Sequence, residues 1–231
     1  MDLTAKRIAI TGAFGSLGTA VVQAALAQGA KVAAIDRVDS PRDVSALAGA
    51  ELFGGVDLGQ ADSAKAAFAR VVESLGGLDG LVNVAGGFAW ETLADGSLET
   101  WDRLYTLNVR TAVAASQAAL PHLVASGGGA IVNVGANGAT KAAAGMGAYA
   151  ASKSGVARLT EALAEELKEH DITVNAVLPS IIDTPPNRAD MPKADFGKWV
   201  KPAQLADVIV FLLSGRASAV TGALIPVVGR V

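Results

Sequence analysis

The sequence contains no cysteine and only two histidines, His122 and His170, among 231 residues. The lack of cysteine excludes disulfides, thiolate nucleophiles and cysteine-ligated metals, and it fits a cytoplasmic protein in a reducing environment. The two histidines lie in separate predicted helices, so they indicate neither a metal site nor a Ser/His/Asp triad. We therefore expect any functional site of this chain to work without a metal ion.

An excess of basic residues is missing as well, because 19 Lys and Arg are outnumbered by 22 Asp and Glu. A surface with a net charge of −3 is poorly suited to a phosphate backbone, so we expect no nucleic-acid partner. Apolar stretches of about 18 residues or more without charges or helix breakers are also missing, which argues against a membrane partner. The expected partner is a small molecule, bound by one domain that covers residues 1–231.

A glycine-rich turn follows the first predicted strand, Arg7–Thr11. A helical pattern follows the turn, and a second buried strand over residues 31–36 ends in Asp36, about twenty residues after the glycines. Glycines at such a turn let the backbone approach a pyrophosphate, whose charge is met by free N–H groups at the start of the helix. This unit predicts dinucleotide binding. Its turn residues are Gly12, Gly15, Ser16, Leu17 and Gly18.

The acid at the end of the second strand favours NAD as the cofactor. The Asp36 carboxylate can accept hydrogen bonds from an adenosine ribose, whereas it would repel a 2′-phosphate. Arg37 follows directly and can pair with a 2′-phosphate instead. The sequence therefore predicts NAD and leaves NADP open.

Short apolar runs alternate with helical patterns along the rest of the chain, which predicts an α/β fold. We expect a single-domain, Rossmann-type, doubly wound parallel β-sheet of about seven strands with helices on both faces. Pro121 should kink or end early a long helix over residues 98–125. Residues 183–202 interrupt the alternation beyond the carboxyl end of a strand, and we interpret them as a lid over the site.

Tyr149 and Lys153 stand four residues apart in a predicted helix over residues 149–169. One helical turn places both side chains on the same face. A nearby ammonium group should favour the phenolate and so lower the pKa of the tyrosine. The pair therefore predicts a proton donor that works near neutral pH.

These motifs, in this order, make the chain resemble the short-chain dehydrogenase/reductase family over nearly its whole length. The resemblance implies that Tyr149 is the catalytic acid and base, that Lys153 binds the ribose, and that Asn108 supports a proton-relay water. It also implies homodimers or homotetramers joined through the long helices. Further cofactor contacts implied by the resemblance are Asp57 and Leu58 beside the adenine, then Asn83, Ala85 and Gly86, and finally Pro179, Ile182 and Thr184 near the nicotinamide.

The chain departs from this family thirteen residues before the tyrosine, where a serine usually polarises a substrate carbonyl and Ala136 stands here. Loss of one such donor typically costs about 10²- to 10³-fold in turnover. Asn137 or Thr140 can replace the missing donor, or the substrate does not need one, or the site is inactive. Dihydropteridine reductases are similar in having alanine at this place and a lid like residues 183–199. Candidate substrate contacts are Ala136, Asn137, Met191, Phe196 and Trp199.

Three functional interpretations stay open at this point. The first is reduction of a quinonoid dihydropterin or a similar conjugated acceptor, which needs no polarised ketone. The second is reduction of an ordinary carbonyl, or oxidation of the alcohol, including 3-oxoacyl thioesters. The third is a non-catalytic protein that senses NAD or assembles with partners.

Overall fold

The computed structural model describes all 231 residues as one seven-stranded sheet in which every neighbouring pair of strands is parallel. The strand order is β3-β2-β1-β4-β5-β6-β7, which confirms the predicted doubly wound architecture. The strands are β1 Arg7–Thr11, β2 Lys31–Ile35, β3 Glu51–Phe53, β4 Gly80–Asn83, β5 Gly129–Val134, β6 Ile172–Pro179 and β7 Leu224–Val227.

The helices cover both faces of the sheet, because strands buried on two sides need an apolar layer on each. One buried cluster contains Val21 and Val22 of the first helix and Ile209 of the last, and a second contains Phe68 and Ala115 on the opposite face. The helices are α1 Ser16–Ala27, α2 Ala61–Leu75, α3 Leu98–Tyr105, α4 Thr111–Ala125, α5 Gly147–Glu166, α6 Pro185–Asp190 and α7 Pro202–Leu213.

The predicted long helix over residues 98–125 differs from the structure in two ways. A wider helical turn, Thr106–Arg110, with π-type hydrogen bonding separates α3 from α4. The expectation that Pro121 ends the helix early is wrong, since α4 runs through it to Ala125. Pro121 and Gln117 are both exposed, so water can hydrate the Gln117 carbonyl that the proline leaves without an N–H donor.

The strand order reverses direction between β1 and β4, and their carboxyl ends lie side by side with Thr11 opposite Asn83. In open parallel sheets, ligands bind in the crevice at such a switch point. No helix in the structure is both long and apolar enough to cross a membrane. Acidic and histidine side chains do not gather anywhere into a group of three that could hold a metal ion.

Candidate active site

The glycine turn at the end of β1 is held by close backbone contacts. A Cβ on Gly18 would lie 2.1 Å from the Gly12 oxygen and 2.6 Å from the Ala13 Cα, so only glycine lets α1 approach the turn this closely. Gly12 has a φ of +63°, and a Cβ there would lie 2.7 Å from the Ala85 nitrogen. The glycines at these two positions are therefore required by the fold itself.

Gly15 is different, because the fold leaves room for a side chain there. A Cβ on Gly15 would find its nearest neighbour, the Gly12 oxygen, at 3.5 Å, and its φ of −78° suits any residue. Gly15 begins α1 without a side-chain cap, and the first turn of α1 carries no acidic residue. The free N–H groups and positive dipole end of α1 thus face an open cradle that fits a pyrophosphate.

Asp36 closes this cradle on the β2 side. Its Oδ2 accepts a 2.9 Å hydrogen bond from the Phe14 N–H, and its Oδ1 accepts one of 3.2 Å from the Val38 N–H. A carboxylate has about four acceptor sites, so capacity remains for ribose hydroxyls. Arg37 is exposed and forms no ion pair. Both groups that bear on the choice between NAD and NADP are therefore free to meet a ligand.

Asp57 and Leu58 lie after β3 on the same side of the switch point. Asp57 is exposed, and its Oδ1 accepts a 2.9 Å hydrogen bond from the Gly59 N–H, while Leu58 is buried. The Arg110 Nε donates a 2.7 Å hydrogen bond to the Gly59 oxygen, which ties this loop to the wide helical turn. The loop is therefore well ordered by contacts within the protein.

Residues 85–88, which follow β4, bring the three predicted catalytic side chains together. A Cβ on Gly86 would lie 2.6 Å from the Asn108 Oδ1 and 3.3 Å from the Lys153 Nζ, so both side chains reach this glycine. The Phe88 ring packs edge-on against the Tyr149 ring, with 4.9 Å between centroids. The segment also contacts the glycine turn, because Ala85 lies against Gly12. The sequence predicts these side chains, and the structure assembles them around one short segment.

Asn108 is fully buried and its side-chain amide is occupied by the protein. Its Oδ1 accepts a 2.8 Å hydrogen bond from the Gly87 N–H, and its Nδ2 donates to the Gly87 oxygen at 3.1 Å and to the Ser152 Oγ at 2.9 Å. Ser152 in turn donates to the Tyr149 carbonyl. Both amide hydrogens are thus used, so Asn108 fixes the distance between residues 85–88 and α5.

Burial acts in opposite directions on the two ionisable groups of α5. It raises the pKa of Tyr149 to about 12 and lowers the pKa of Lys153 to about 8. The Lys153 Nζ donates a 2.7 Å hydrogen bond to the Val134 carbonyl. The expectation that Lys153 lowers the pKa of Tyr149 is wrong for the protein alone, since desolvation of the phenol dominates. Tyr149 is therefore fully protonated at neutral pH.

We predict that the buried amine of Lys153 makes stability depend on pH. The pKa of Lys153 falls from 10.5 to about 8 on folding, so between these values the unfolded chain binds a proton that the folded chain does not. The free energy of unfolding should therefore rise by about 2 kcal/mol from pH 8 to pH 10. Above pH 10 the raised pKa of Tyr149 should lower the free energy of unfolding again.

Urea titrations at several pH values measure the effect. Lys153→Met should remove the rise in the free energy of unfolding, and Lys141→Met, at an exposed lysine, should keep it. Parallel curves for the Lys153 variant and the wild type would contradict this assignment.

The segment after β5 holds the position where a carbonyl-polarising serine was expected. Ala136 is 4% exposed and begins the short helical turn Asn137–Ala139. The Thr140 hydroxyl donates a 2.7 Å hydrogen bond to the Asn137 oxygen, whereas the Asn137 side-chain amide has no partner in the protein. Of the two replacement donors considered, Asn137 is therefore the one that is free.

The side chain of Asn83, one of the predicted cofactor contacts, lies inside the protein. Its Nδ2 donates to the Asn133 Oδ1 at 2.8 Å and to the Ser116 Oγ at 3.2 Å, and its Oδ1 is buried without a partner. Asn133 donates to Thr160 of α5. The side chain thus joins the sheet to α4 and α5, and only the backbone of Asn83 reaches the switch point.

The predicted lid packs on itself beyond the end of β6. Thr184, the first residue after Asp183, caps α6 by accepting a 3.4 Å hydrogen bond from the Asn187 N–H.

The Arg188 guanidinium pairs with Asp183 at 2.5 and 2.8 Å and lies 4.7 Å above the Phe196 ring. Phe196 packs 4.8 Å from Trp199, which is buried, while Met191 is partly exposed. Pro179 ends β6, and Ile182 pairs with Val200 across the base of the lid.

The same architecture is found in known proteins. A sequence model of the short chain dehydrogenase family matches residues 6–195. The chain belongs to the short chain dehydrogenase family. The expected resemblance to this family of oxidoreductases is thereby confirmed, whereas nothing in these comparisons supports the narrower likeness to dihydropteridine reductases.

Relatives within the short chain dehydrogenase family span the chain almost completely. The 2-(S)-hydroxypropyl-CoM dehydrogenase 3 of Xanthobacter autotrophicus is 34% identical, over 96% of this chain and 94% of that one. Human L-xylulose reductase is 33% identical, over 98% and 96%. A protein named inactive 2-(S)-hydroxypropyl-CoM dehydrogenase 2, also of X. autotrophicus, is 34% identical, over 90% and 98%. The crystal structure of Mycobacterium avium carveol dehydrogenase in complex with NAD superimposes with a TM-score of 0.85 at 28% identity, over 98% and 97%.

Two side chains in the site of this family member were not predicted from the sequence. Ser152 connects Asn108 to the backbone of Tyr149, and Phe88 packs against the Tyr149 ring. A hydroxyl between Tyr149 and Lys153 on α5 is a weak signal, since small residues are common in helices. An aromatic residue directly after Gly86 and Gly87, in a segment predicted to bind cofactor, is a stronger one.

Proposed function

We propose that the chain reduces a polarised double bond with NAD(P)H and that Tyr149 donates the proton. The observation that carries this proposal is the geometry that brings Tyr149, Lys153 and Asn108 together around residues 85–88 at the switch point. Lys153, with a pKa of about 8, is mostly charged at pH 7 and supports the phenolate that remains after proton transfer. Asn108, through Ser152, holds α5 at a fixed distance from residues 85–88.

The residues that hold the cofactor in this proposal lie along the switch point. The N–H groups at the start of α1 would bind the pyrophosphate beside Gly15, and the Asp36 carboxylate would accept hydrogen bonds from the adenosine ribose. Pro179, Ile182 and Thr184 would contribute to the nicotinamide end of the site. When bound, NAD(P)H supplies a hydride to the substrate carbon. For a ketone, the carbonyl oxygen takes the proton of Tyr149, and the product is the alcohol.

A carbonyl compound is the first substrate class in this proposal. The named relatives include a reductase of a sugar ketone and a dehydrogenase of a secondary alcohol, which support it. A quinonoid dihydropterin or a similar conjugated ring is the second class. Ala136 favours it, because an electron-poor ring accepts hydride without the donor that a serine would provide. A non-catalytic NAD sensor is the third possibility, and the relative that is named inactive gives it some support.

A substrate panel tests the proposal directly. Purified protein is mixed with NADH or NADPH and with aliphatic ketones, aryl ketones, a 3-oxoacyl thioester or quinonoid dihydropterin, and cofactor absorbance at 340 nm is followed. Turnover of any of these acceptors supports a reductase and identifies its class. Binding of NADH without reduction of any acceptor in the panel would instead favour the non-catalytic NAD sensor.

We predict that Asp36→Ser shifts the cofactor preference toward NADPH. The substitution removes a negative charge that repels a 2′-phosphate, and the nearby Arg37 is free to bind one. The ratio of kcat/KM for NADPH to that for NADH should rise about tenfold or more. Asp39→Ser removes the same charge three residues later and should leave the ratio unchanged. An unchanged ratio in Asp36→Ser would show that this carboxylate does not face the ribose.

We predict that Ala136→Ser raises turnover if the natural substrate is a ketone. The added hydroxyl stands where the family usually polarises the carbonyl, so kcat for ketones should rise about tenfold. Ala139→Ser adds the same group three residues later, at the end of the same short turn, and should have little effect. A fall in ketone turnover in Ala136→Ser would favour a conjugated acceptor whose pocket is shaped around alanine.

A further inference from the structure

Two large aromatic side chains stand exposed beside the proposed proton donor. Phe88 and Trp90 follow β4 and are 53% and 61% exposed. Soluble proteins usually bury aromatic residues in large part, because each carries about 150–250 Å² of mostly apolar surface. Phe88 contacts the Tyr149 ring in a T-shaped arrangement with an interplanar angle of 77°, so an exposed apolar surface lies beside the ring that carries the proposed proton donor.

Trp90 is fixed in place and its polar atom is already used. Its Nε1–H donates a 3.0 Å hydrogen bond to the Ala144 carbonyl. The ring lies directly on the backbone of Gly145, where a Cβ would come within 2.2 Å of the Trp90 Cε2. The Glu91 N–H also donates to the Gly145 oxygen at 2.9 Å. The exposed part of the indole is therefore rigid and apolar.

The two chain segments that Trp90 joins carry charged side chains only at their outer ends, at Glu91 and Lys141. Residues 85–90 read Ala-Gly-Gly-Phe-Ala-Trp, and residues 142–149 read Ala-Ala-Ala-Gly-Met-Gly-Ala-Tyr. Between these ends, the Tyr149 hydroxyl and the Trp90 Nε1–H are the only polar side-chain groups, so this part of the site is poor in groups that would bind a carboxylate, a phosphate or the many hydroxyls of a sugar. It offers two rigid aromatic surfaces and small residues beside them, which suits flat apolar ligands.

We infer that Phe88 and Trp90 form the wall that selects the substrate, and that the substrate carries a planar, apolar group, such as an aryl ring, next to the double bond that is reduced. This inference rests on the proposed function. Packing of the planar group on the wall holds the neighbouring carbonyl at the Tyr149 hydroxyl. The contact acts on both binding and orientation, so its loss affects kcat/KM of planar substrates more than that of small aliphatic ones.

The test compares 2-acetylnaphthalene with 2-butanone as substrates of the wild type, Phe88→Ala and Trp90→Ala. The wild type should prefer the naphthyl ketone in kcat/KM, and each variant should lose roughly ten- to hundredfold on this ketone while changing little on butanone. Val44→Ala removes a side chain that is equally exposed, at 58%, in the turn after β2, and should behave as wild type. Equal losses on both ketones, or no preference in the wild type, would overturn the inference.

A binding measurement separates this inference from the proposed function. 1-(2-Naphthyl)ethanol is inert without oxidised cofactor, so its affinity can be measured by calorimetry whether or not the protein reduces ketones. Wild-type binding that Trp90→Ala weakens about tenfold, together with turnover of no acceptor, would support the wall and refute the reductase. Trp90→Phe keeps an aromatic face and should restore part of the affinity. Absence of binding, or equal affinity in the alanine variant, would refute the wall itself.

Discussion

Tyr149→Phe is expected to lower kcat/KM for the best acceptor of the substrate panel by about 10³-fold. The phenyl ring keeps the packing against Phe88 but has no proton to give, and general acid catalysis is typically worth about 10²- to 10⁴-fold. The hydroxyl makes no hydrogen bond within the protein, so its loss should not disturb the fold. Steady-state kinetics with NADH, at saturating acceptor where solubility allows, measures the effect.

The matched control for this variant is Tyr105→Phe, since Tyr105 is the only other tyrosine and stands exposed at the end of α3. It should retain full activity. The NADH dissociation constant of Tyr149→Phe, from protein fluorescence, should stay within about threefold of the wild type, because the phenol is proposed to act in proton transfer. Retained turnover in Tyr149→Phe would assign the proton to another donor. Loss of turnover with intact cofactor binding would eliminate the non-catalytic sensor.

Gly18→Ala and Gly15→Ala are expected to separate the structural and ligand-binding roles of the glycine turn. In Gly18→Ala the new methyl group meets backbone atoms at 2.1 and 2.6 Å, so α1 must move away from the turn. Such overpacking typically costs about 1–3 kcal/mol in free energy of unfolding, and here both neighbours are rigid backbone. We expect a loss at the upper end of that range, measured by urea titration.

Gly15→Ala should leave stability nearly unchanged, within about 0.5 kcal/mol, because its methyl group meets only the Gly12 oxygen, at an ordinary contact distance of 3.5 Å. The methyl group enters the cradle proposed for the pyrophosphate, so the NADH dissociation constant should rise at least about tenfold. Together the two variants form a crossed pair in which one loses stability and the other loses affinity. Wild-type affinity in Gly15→Ala would show that the cofactor does not approach the start of α1.

The order of strands and helices could be predicted because short apolar runs and helical patterns alternate along the chain. The prediction of β1 matches the structure at both ends. Its carboxyl end was predictable because the glycine turn begins directly after it, at Gly12. The apolar run over residues 52–57 predicts a longer third strand, but β3 ends at Phe53. The chain then passes so close to residue 39 that a Cβ on Gly54 would lie 1.9 Å from the Asp39 oxygen, and no local pattern contains such a long-range contact.

The sequence predicts the residue types of the candidate site but not the environments in which the fold places them. The spacing of Tyr149 and Lys153 is visible in the sequence, but the opposite shifts of their pKa values depend on how deeply α5 is buried. Asn83 illustrates the same limit, because its motif suggests a ligand contact while the fold turns its side chain into the core. Phe88 and Ser152 became recognisable only when packing placed them beside Tyr149.

The wide helical turn Thr106–Arg110 also restricts how the length of this chain can change during evolution. Its π-type hydrogen bonding already takes up one residue more than an α-helical turn, so inserting a second residue would rotate α3 by about 100° relative to α4. Leu104 would then leave the core, and Asn108 would lose Gly87 and Ser152 together. Exposed connections such as residues 93–95 carry no comparable penalty. Insertions in descendants of this sequence should therefore accumulate at such connections and spare the turn.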